Sequence, residues 1–331
     1  MRTMAVALAA IALAAPALAV PATAQDTGFR VRLEPTHQTL RGHDAHVLTI
    51  HEVDGATSTS ARRAVTLDTE PGLAYRAELR YASARWAWGV DFFWFHTTQG
   101  AADLDRSGAG AGSLVTFEVA DRSFTSTGPG EVVYYRRLED TELAMWTLDL
   151  YAERVLASSC EGRLALRLAL RSADFDNDYR AAAGLEDVNG TRYDAESNYG
   201  RMTGPLVGVA GAVRLGRFTV DALLGQSVVL GEAAYNSQAR DFTGPFSGSP
   251  AYVDEVTFGT SEEVAIPITD LQARARFGVT GWLGIGVGIQ AAAWWDVGVP
   301  PGLLPVPGGS QVLQEDTLVL LGLSGVVELS F

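Results

Sequence analysis

The chain has 331 residues, 47% of them hydrophobic, and a formal net charge of −14. That balance excludes nucleic acid as an expected partner, because neutralising a phosphate backbone needs basic patches. The single cysteine, Cys160, excludes an intrachain disulfide.

The first element is a leader. Met1-Arg2-Thr3 is a short positive start, residues 4–20 are an apolar run, and Ala22-Thr23-Ala24 is a small-residue cleavage site before Gln25. This is the pattern of an export signal over residues 1–24, leaving 25–331 as the mature chain. No second run reaches the roughly 18 apolar residues of a spanning helix. If the mature chain lies in a membrane, it lies there as a closed barrel.

From residue 28 on, the chain alternates with period two, the signature of strands with one face in lipid. Phe29, Val31 and Leu33 oppose Arg30, Arg32 and Glu34. Leu73, Tyr75, Ala77, Leu79 and Tyr81 oppose Arg76, Glu78 and Arg80. Trp86, Trp88, Val90, Phe92 and Trp94 oppose Ala87, Gly89, Asp91, Phe93 and Phe95. Trp146, Leu148, Leu150 and Ala152 oppose Thr147, Asp149, Tyr151 and Glu153. In "RLALRLALR", four leucines oppose Arg163, Arg167 and Arg171. Residues 203–215, 217–230 and 283–296 show the pattern more weakly, with more Gly and Ala. Leu271, Ala273, Ala275 and Phe277 oppose Asp270, Gln272, Arg274 and Arg276. The last run sets Val319, Leu321, Leu323, Val327, Leu329 and Phe331 against a face carrying Glu328. Ending on Phe331 fits a final strand that stops at the lipid interface and serves as an assembly signal.

The expected fold is therefore all-β: a closed antiparallel transmembrane barrel of about ten strands, with twelve or eight as alternatives. Short periplasmic turns fall near 83–85, 157–162, 215–217 and 280–283. Long external links fall at 37–71, 98–143, 173–202, 231–264 and 297–314. Segments 45–53, 112–120 and 131–137 read either as outward hairpins or as an extra membrane pair. Trp86, Trp88, Trp94, Trp146, Trp282, Trp294 and Trp295 suit interfacial girdles.

The inward set is nearly charge-balanced. Its arginines are Arg30, Arg32, Arg76, Arg80, Arg163, Arg167, Arg171, Arg274 and Arg276. Its acids are Glu34, Glu78, Asp91, Asp149, Glu153, Asp221, Asp270 and Glu328. Two readings stay open: a salt-bridged plug, or a narrow water-filled constriction. Most of the −14 is then expected on external links such as residues 187–197 and 252–263.

Chemistry-bearing motifs were sought and fail. Asp174, Asp176 and Asp178 begin like a calcium loop, but Tyr179 and Leu185 stand where Gly and Glu are needed. His43 and His46, with His37 and His51 nearby, lack a firm third ligand. His96 and Asp91 fall on opposite faces of a strand. No nucleophile elbow, P-loop or dinucleotide fingerprint occurs. Hence the expectation is no catalytic residue, no metal and no cofactor: not an enzyme.

Three stretches, residues 147–179, 196–233 and 268–297, resemble in order the pore-forming major outer membrane proteins of the Legionella type. Asp149, Gly204-Pro205, Gly208, Gly216 and Trp295 carry the likeness, which covers roughly residues 140–331. The resemblance implies a Gram-negative outer-membrane barrel, pore-forming in some members. The expected function is a narrow, porin-like passive channel for small solutes. The alternative is a non-conducting structural or surface-binding barrel with a salt-bridged lumen. Expected partners are outer-membrane lipid and lipopolysaccharide, the barrel assembly machinery through the C-terminal strand, and small solutes if a pore forms.

Overall fold

The computed structural model describes residues 27–41, 46–54, 59–66, 71–98, 102–107, 114–119, 122–126, 131–137, 142–186, 188–244, 251–298 and 315–331. The expected leader, His43 and the 299–314 part of the last long link lie outside these residues.

Sixteen strands follow in chain order. They are β1 (Gly28–Arg41), β2 (His46–Asp54), β3 (Thr59–Thr66), β4 (Gly72–Ala82), β5 (Trp86–Thr98), β6 (Ala102–Ser107), β7 (Leu114–Val119) and β8 (Arg122–Ser126). Then come β9 (Val132–Arg137), β10 (Glu142–Ser158), β11 (Gly162–Leu185), β12 (Asn189–Leu215), β13 (Phe218–Thr243), β14 (Ala251–Gly278), β15 (Leu283–Gly298) and β16 (Glu315–Ser330). Ten of them close into an antiparallel ring in the order β10-β5-β4-β1-β16-β15-β14-β13-β12-β11, with β11 pairing back to β10. Closure leaves no spanning edge unpaired, which a hydrocarbon setting demands. The first and last strands meet through Phe29 N–H to Phe331 O at 3.1 Å and Phe331 N–H to Phe29 O at 2.9 Å.

Side chains fall on the faces that the alternation assigns. Phe29, Leu33, Leu79, Leu150 and Leu170 are exposed on the outer wall, and Leu323 is 71% exposed. Arg32, Arg76, Glu78, Asp149, Arg167 and Glu328 are buried inside. Phe29 packs on Tyr81 at 4.9 Å and Trp86 stacks on Trp88 at 5.7 Å near the short turns, the end where β1 begins and β16 stops. Tyr75 stacks on Trp94 at 5.8 Å at the other border, where Trp146 pairs with Trp94. Trp294 departs from the expected girdle. It is 1% exposed, points inward and lies 6.2 Å from Phe175, whereas its neighbour Trp295 faces out. Two consecutive aromatics cannot both face lipid on a strand.

Among the described residues, the links expected over 173–202 and 231–264 are mainly strand rather than loop. β11 to β14 run on beyond the girdle, with full lengths of 24 to 28 residues where about 9–11 suffice to cross a membrane. The alternation continues there with its polarity reversed. Asp174, Asp176 and Asp178 face out, while Phe175, Asn177 and Tyr179 face in. The acidic stretches at 187–197 and 252–263 likewise sit mainly on β12 and β14. Register shifts at Ala173/Phe175, Tyr199/Thr203 and Trp294/Val297 mark the same border, where bulges re-aim strands leaving a barrel wall.

The segments at 45–53, 112–120 and 131–137 are external. β2, β3, β7 and β8 form a separate four-stranded sheet, and β9 extends the wall outward from β11 with β6 beyond it. Ile50, Val115, Phe117 and Phe124 of that sheet join one apolar core with Phe95, Phe175, Tyr199 and Trp294. The sheet thus caps the far end of the barrel.

Leu166→Arg and Leu323→Arg place a charge on the outer wall, at about 2–4 kcal/mol near the midplane and less toward an interface. Both variants are expected to fail in stable insertion, read as loss of heat-modifiable folded protein in the membrane fraction. Normal insertion of both would refute the facing.

Candidate functional site in the barrel interior

The inward arginines come from strands whose neighbours are built to receive them. Arg163, Arg167 and Arg171 stand at every fourth residue of β11, directly opposite Ala212, Gly208 and Gly204 of β12. Arg274 and Arg276 of β14 oppose Gly288 and Gly286 of β15. A Cβ at Gly288 would lie 3.2 Å from Cγ of Arg274 and 2.6 Å from Oγ of Ser324. Gly286 and Gly288 of β15, a strand that alternates weakly in the sequence, therefore leave the room that the Arg276 and Arg274 stems occupy.

The charges meet across the barrel. Arg171 donates from Nε and Nη2 to the two oxygens of Asp149, each at 2.7 Å, and from Nη1 to Asp270 at 2.5 Å and Ser227 at 3.1 Å. Its side chain is 2% exposed, and its partners lie on β10, β14 and β13. Arg167 reaches Glu153 on β10 at 2.7 Å, Glu78 on β4 at 3.2 Å and Asp91 on β5 at 3.7 Å. Its guanidinium lies over the Tyr151 ring at 3.8 Å, and the Tyr151 hydroxyl donates to Glu78 at 2.6 Å. Arg32 of β1 pairs with Glu78 and Glu328, each at 2.8 Å, and reaches Asp221 at 3.8 Å on β13, four places around the ring. Arg76 pairs with Asp91 at 3.2 Å, Arg80 with Glu153 at 3.0 Å and Arg163 with Glu153 at 3.2 Å. Arg274 pairs with Glu34 and Asp221, and Arg276 with Asp221 and Glu328.

The structure places all twelve interior residues expected from the sequence in ion pairs of two groups: Arg171 with Asp149 and Asp270, and a larger set that links the other nine through Arg32, Glu34, Glu153 and Asp221. The alternation alone could not reveal the neutral groups that complete them: Tyr151, Ser227, and Gln290, whose amide donates to Glu34 at 2.9 Å. Each such residue looks like an ordinary inward position until its neighbour's charge is placed.

Above this ionic layer, toward the cap, the interior turns aromatic. Tyr199 and Tyr235 share a hydroxyl–hydroxyl hydrogen bond of 2.8 Å, and Tyr135 and Tyr179 share another. Leu318, Leu320, Leu143, Met145 and Met202 fill the space between them and the charges. Below the ionic layer, at the short-turn end, a cavity of about 600 Å³ opens.

Outside the wall, Asp176, Asp178 and Glu196 have carboxylate oxygens within 4.8 Å of one another. They belong to β11 and β12, with Asp178 opposite Glu196. The calcium-loop spacing that fails in the sequence is thus a stretch of strand. Partial burial, together with Asp178, Glu196 and Asp174, pushes the Asp176 carboxyl up to about 6. Elsewhere on the outer face, His96 stacks on Trp94 and pairs with Glu142 at 3.6 Å, away from Asp91.

No protein-family model matches the chain, and no curated protein matches it. Similar solved structures include the outer membrane protease OmpT from Escherichia coli, at 11% identity over 93% of this chain and 98% of that one, with a TM-score of 0.48. Others are the Pseudomonas putida toluene transporter TodX, at 10% identity over 92% and 89% with a TM-score of 0.20, and a Pseudomonas aeruginosa FadL homologue, at 8% over 92% and 90% with 0.22. At these scores the closed barrel rests on the strand pairing itself.

Arg171→Met leaves Asp149 and Asp270 buried without their cation, a loss of about 3–5 kcal/mol. The midpoint of urea unfolding of the refolded protein should fall accordingly, and adding Asp149→Asn and Asp270→Asn should restore most of it. For Asp176 the folded carboxyl binds its proton more tightly than the unfolded one. Stability therefore falls as pH rises from the unfolded carboxylate range through about 6. Asp176→Asn should raise the unfolding temperature at pH 8 and leave it unchanged at pH 3. Equal effects at both would show that the cluster is not titrating.

Proposed function

We propose that the protein is an outer-membrane barrel closed through its own core, with the short turns in the periplasm and the long strands and capping sheet displayed outside. It works as a structural or surface-binding barrel rather than as an open porin, and no catalysis is part of the proposal. The observation that carries this is Arg171, which joins β10, β13 and β14 through the middle of the barrel at 2% exposure. The aromatic layer above it supports the same reading, since an ion path would have to part both. A closed charge layer is also consistent with the balance of nine inward arginines against eight inward carboxylates. Unpaired charge in a dry wall is costly, whereas a paired lattice stiffens the wall.

The displayed part has a surface suited to contact. The outer half of β14, Ala251 to Glu263, is largely exposed on both faces, with Asp254, Glu255, Glu262 and Glu263 along it. Partners that meet it must tolerate or match that acid.

A narrow passive channel is the second reading. It is favoured by the cavity at the short-turn end, which reaches the ionic layer, and it requires that layer to open. Planar-bilayer recording of refolded protein separates the two. Silence from protein shown to be folded is expected. Discrete ohmic steps would overturn the closed barrel and make Arg171 and Arg167 the residues to test for ion selectivity.

A further inference from the structure

The cavity at the short-turn end has a charge opposite to that of the protein. Nine arginines and five carboxylates line it, in a chain whose formal net charge is −14. The surplus of four positive charges is not spread evenly. At the floor, Glu153 is shared by Arg80, Arg163 and Arg167, and Glu328 by Arg30, Arg32 and Arg276. Each of these carboxylates thus serves three guanidinium groups, and each guanidinium carries five N–H donors. Arg30 has one ion pair among the described residues, Nε to Glu328 at 3.4 Å, and its side chain is 27% exposed. Arg214 and Arg217 stand exposed at the mouth, either side of the turn that Gly216 makes at φ +63°. That turn holds Arg214, whose Nε donates to Gly216 O at 3.3 Å and whose backbone N–H donates to Glu161 O at 2.6 Å.

We propose that this basin binds a multivalent oxyanion of the phosphate class, either free or as the headgroup of an anionic lipid. Guanidinium forks match the paired oxygens of a phosphate, and their charge cannot be removed by deprotonation. The cavity of about 600 Å³ is the size of a small-molecule site. Even with Glu34 and Asp91 drawing on Arg274 and Arg167 from behind the lining, the basin keeps a positive surplus, which suits a multivalent anion better than chloride. The site extends the closed-barrel reading without depending on it, because the basin lies on the short-turn side of the ionic layer and its occupancy can be read with or without conduction.

The chain carries its own reporter. Cys160, the one cysteine, is exposed and lines the basin beside Glu161. The test follows the rate at which a neutral maleimide fluorophore labels Cys160 in refolded, detergent-solubilised protein, with Cys160→Ser as the background. Pyrophosphate should slow labelling several-fold, where sodium chloride at matched ionic strength and glycerol do not. In Arg214→Gln/Arg217→Gln, which leaves the floor pairs intact, half-protection should need about tenfold more pyrophosphate. A second arm places the protein in nanodiscs of phosphatidylglycerol or of phosphatidylcholine. Slower labelling in phosphatidylglycerol alone, without an effect of pyrophosphate, would assign the site to a lipid headgroup. Protection by pyrophosphate would assign it to a free anion. Equal slowing by sodium chloride, or no slowing in either arm, would overturn the proposal, whatever the bilayer recordings give.

Discussion

A guanidinium group held inside a barrel needs acceptors from more than one strand, and the interior is organised by that need. Arg167 and Arg171 sit four residues apart on β11, yet their partners come from β4, β5, β10 and β14. Burying such charges is costly unless geometry and hydrogen bonding are nearly complete. β15 therefore gives up side-chain volume at Gly286 and Gly288 where arginine stems lie, and Tyr151, Ser227 and Gln290 fill remaining positions with donors. Within each ion-paired group, removing a member exposes others to an unmatched charge, so substitutions inside one group are expected to be strongly non-additive.

The interior is stratified along the barrel. A basic basin at the short turns gives way to paired charge, then to aliphatic and aromatic packing, then to a capping sheet made from two excursions of the chain. Each stratum matches what surrounds the wall at that height. Within the girdle the outer face is apolar and the inner one ionic. Beyond it the outer face is ionic and the inner one aromatic. A strand in lipid and a strand in water need opposite faces to be apolar, and four strands carry both solutions end to end.

That inversion explains how much of the fold was legible. Period two, with one face in lipid, leaves a strong trace, so the facing of β4, β5, β10, β11 and β16 could be read from residues alone, and the twelve interior charges with it. The extension was not legible as strand. An apolar outward face is the trace of a strand in lipid, and "DFDNDY" offers the reverse, with Asp174, Asp176 and Asp178 outside and Phe175 and Tyr179 inside. The same residues read as continuing alternation once the phase is followed past Arg171. Trp294 was unreadable for a different reason: "WW" satisfies either phase, and the Gly- and Ala-rich run before it alternates too weakly to show that Gly288, Gln290 and Trp294 share the inward face. The basin was invisible as well: Arg214 and Arg217 flank a turn far in sequence from Arg30, and only closure brings them to one mouth.

Closure has a kinetic side. Glu328 lies 296 residues from Arg32, on the strand that arrives last, and it is the carboxylate that Arg30, Arg32 and Arg276 share. Until β16 docks on β1, those three cations have an open seam and access to water. Once it docks, the seam closes and the three gain a shared carboxylate. Pairing of such long range is slow, because loop-closure entropy must be met before the contact rewards it. The final strand thus acts as both latch and counterion. An unclosed barrel carries a ready-made electrostatic target for its own C-terminal end, which favours the correct seam over pairing with another chain.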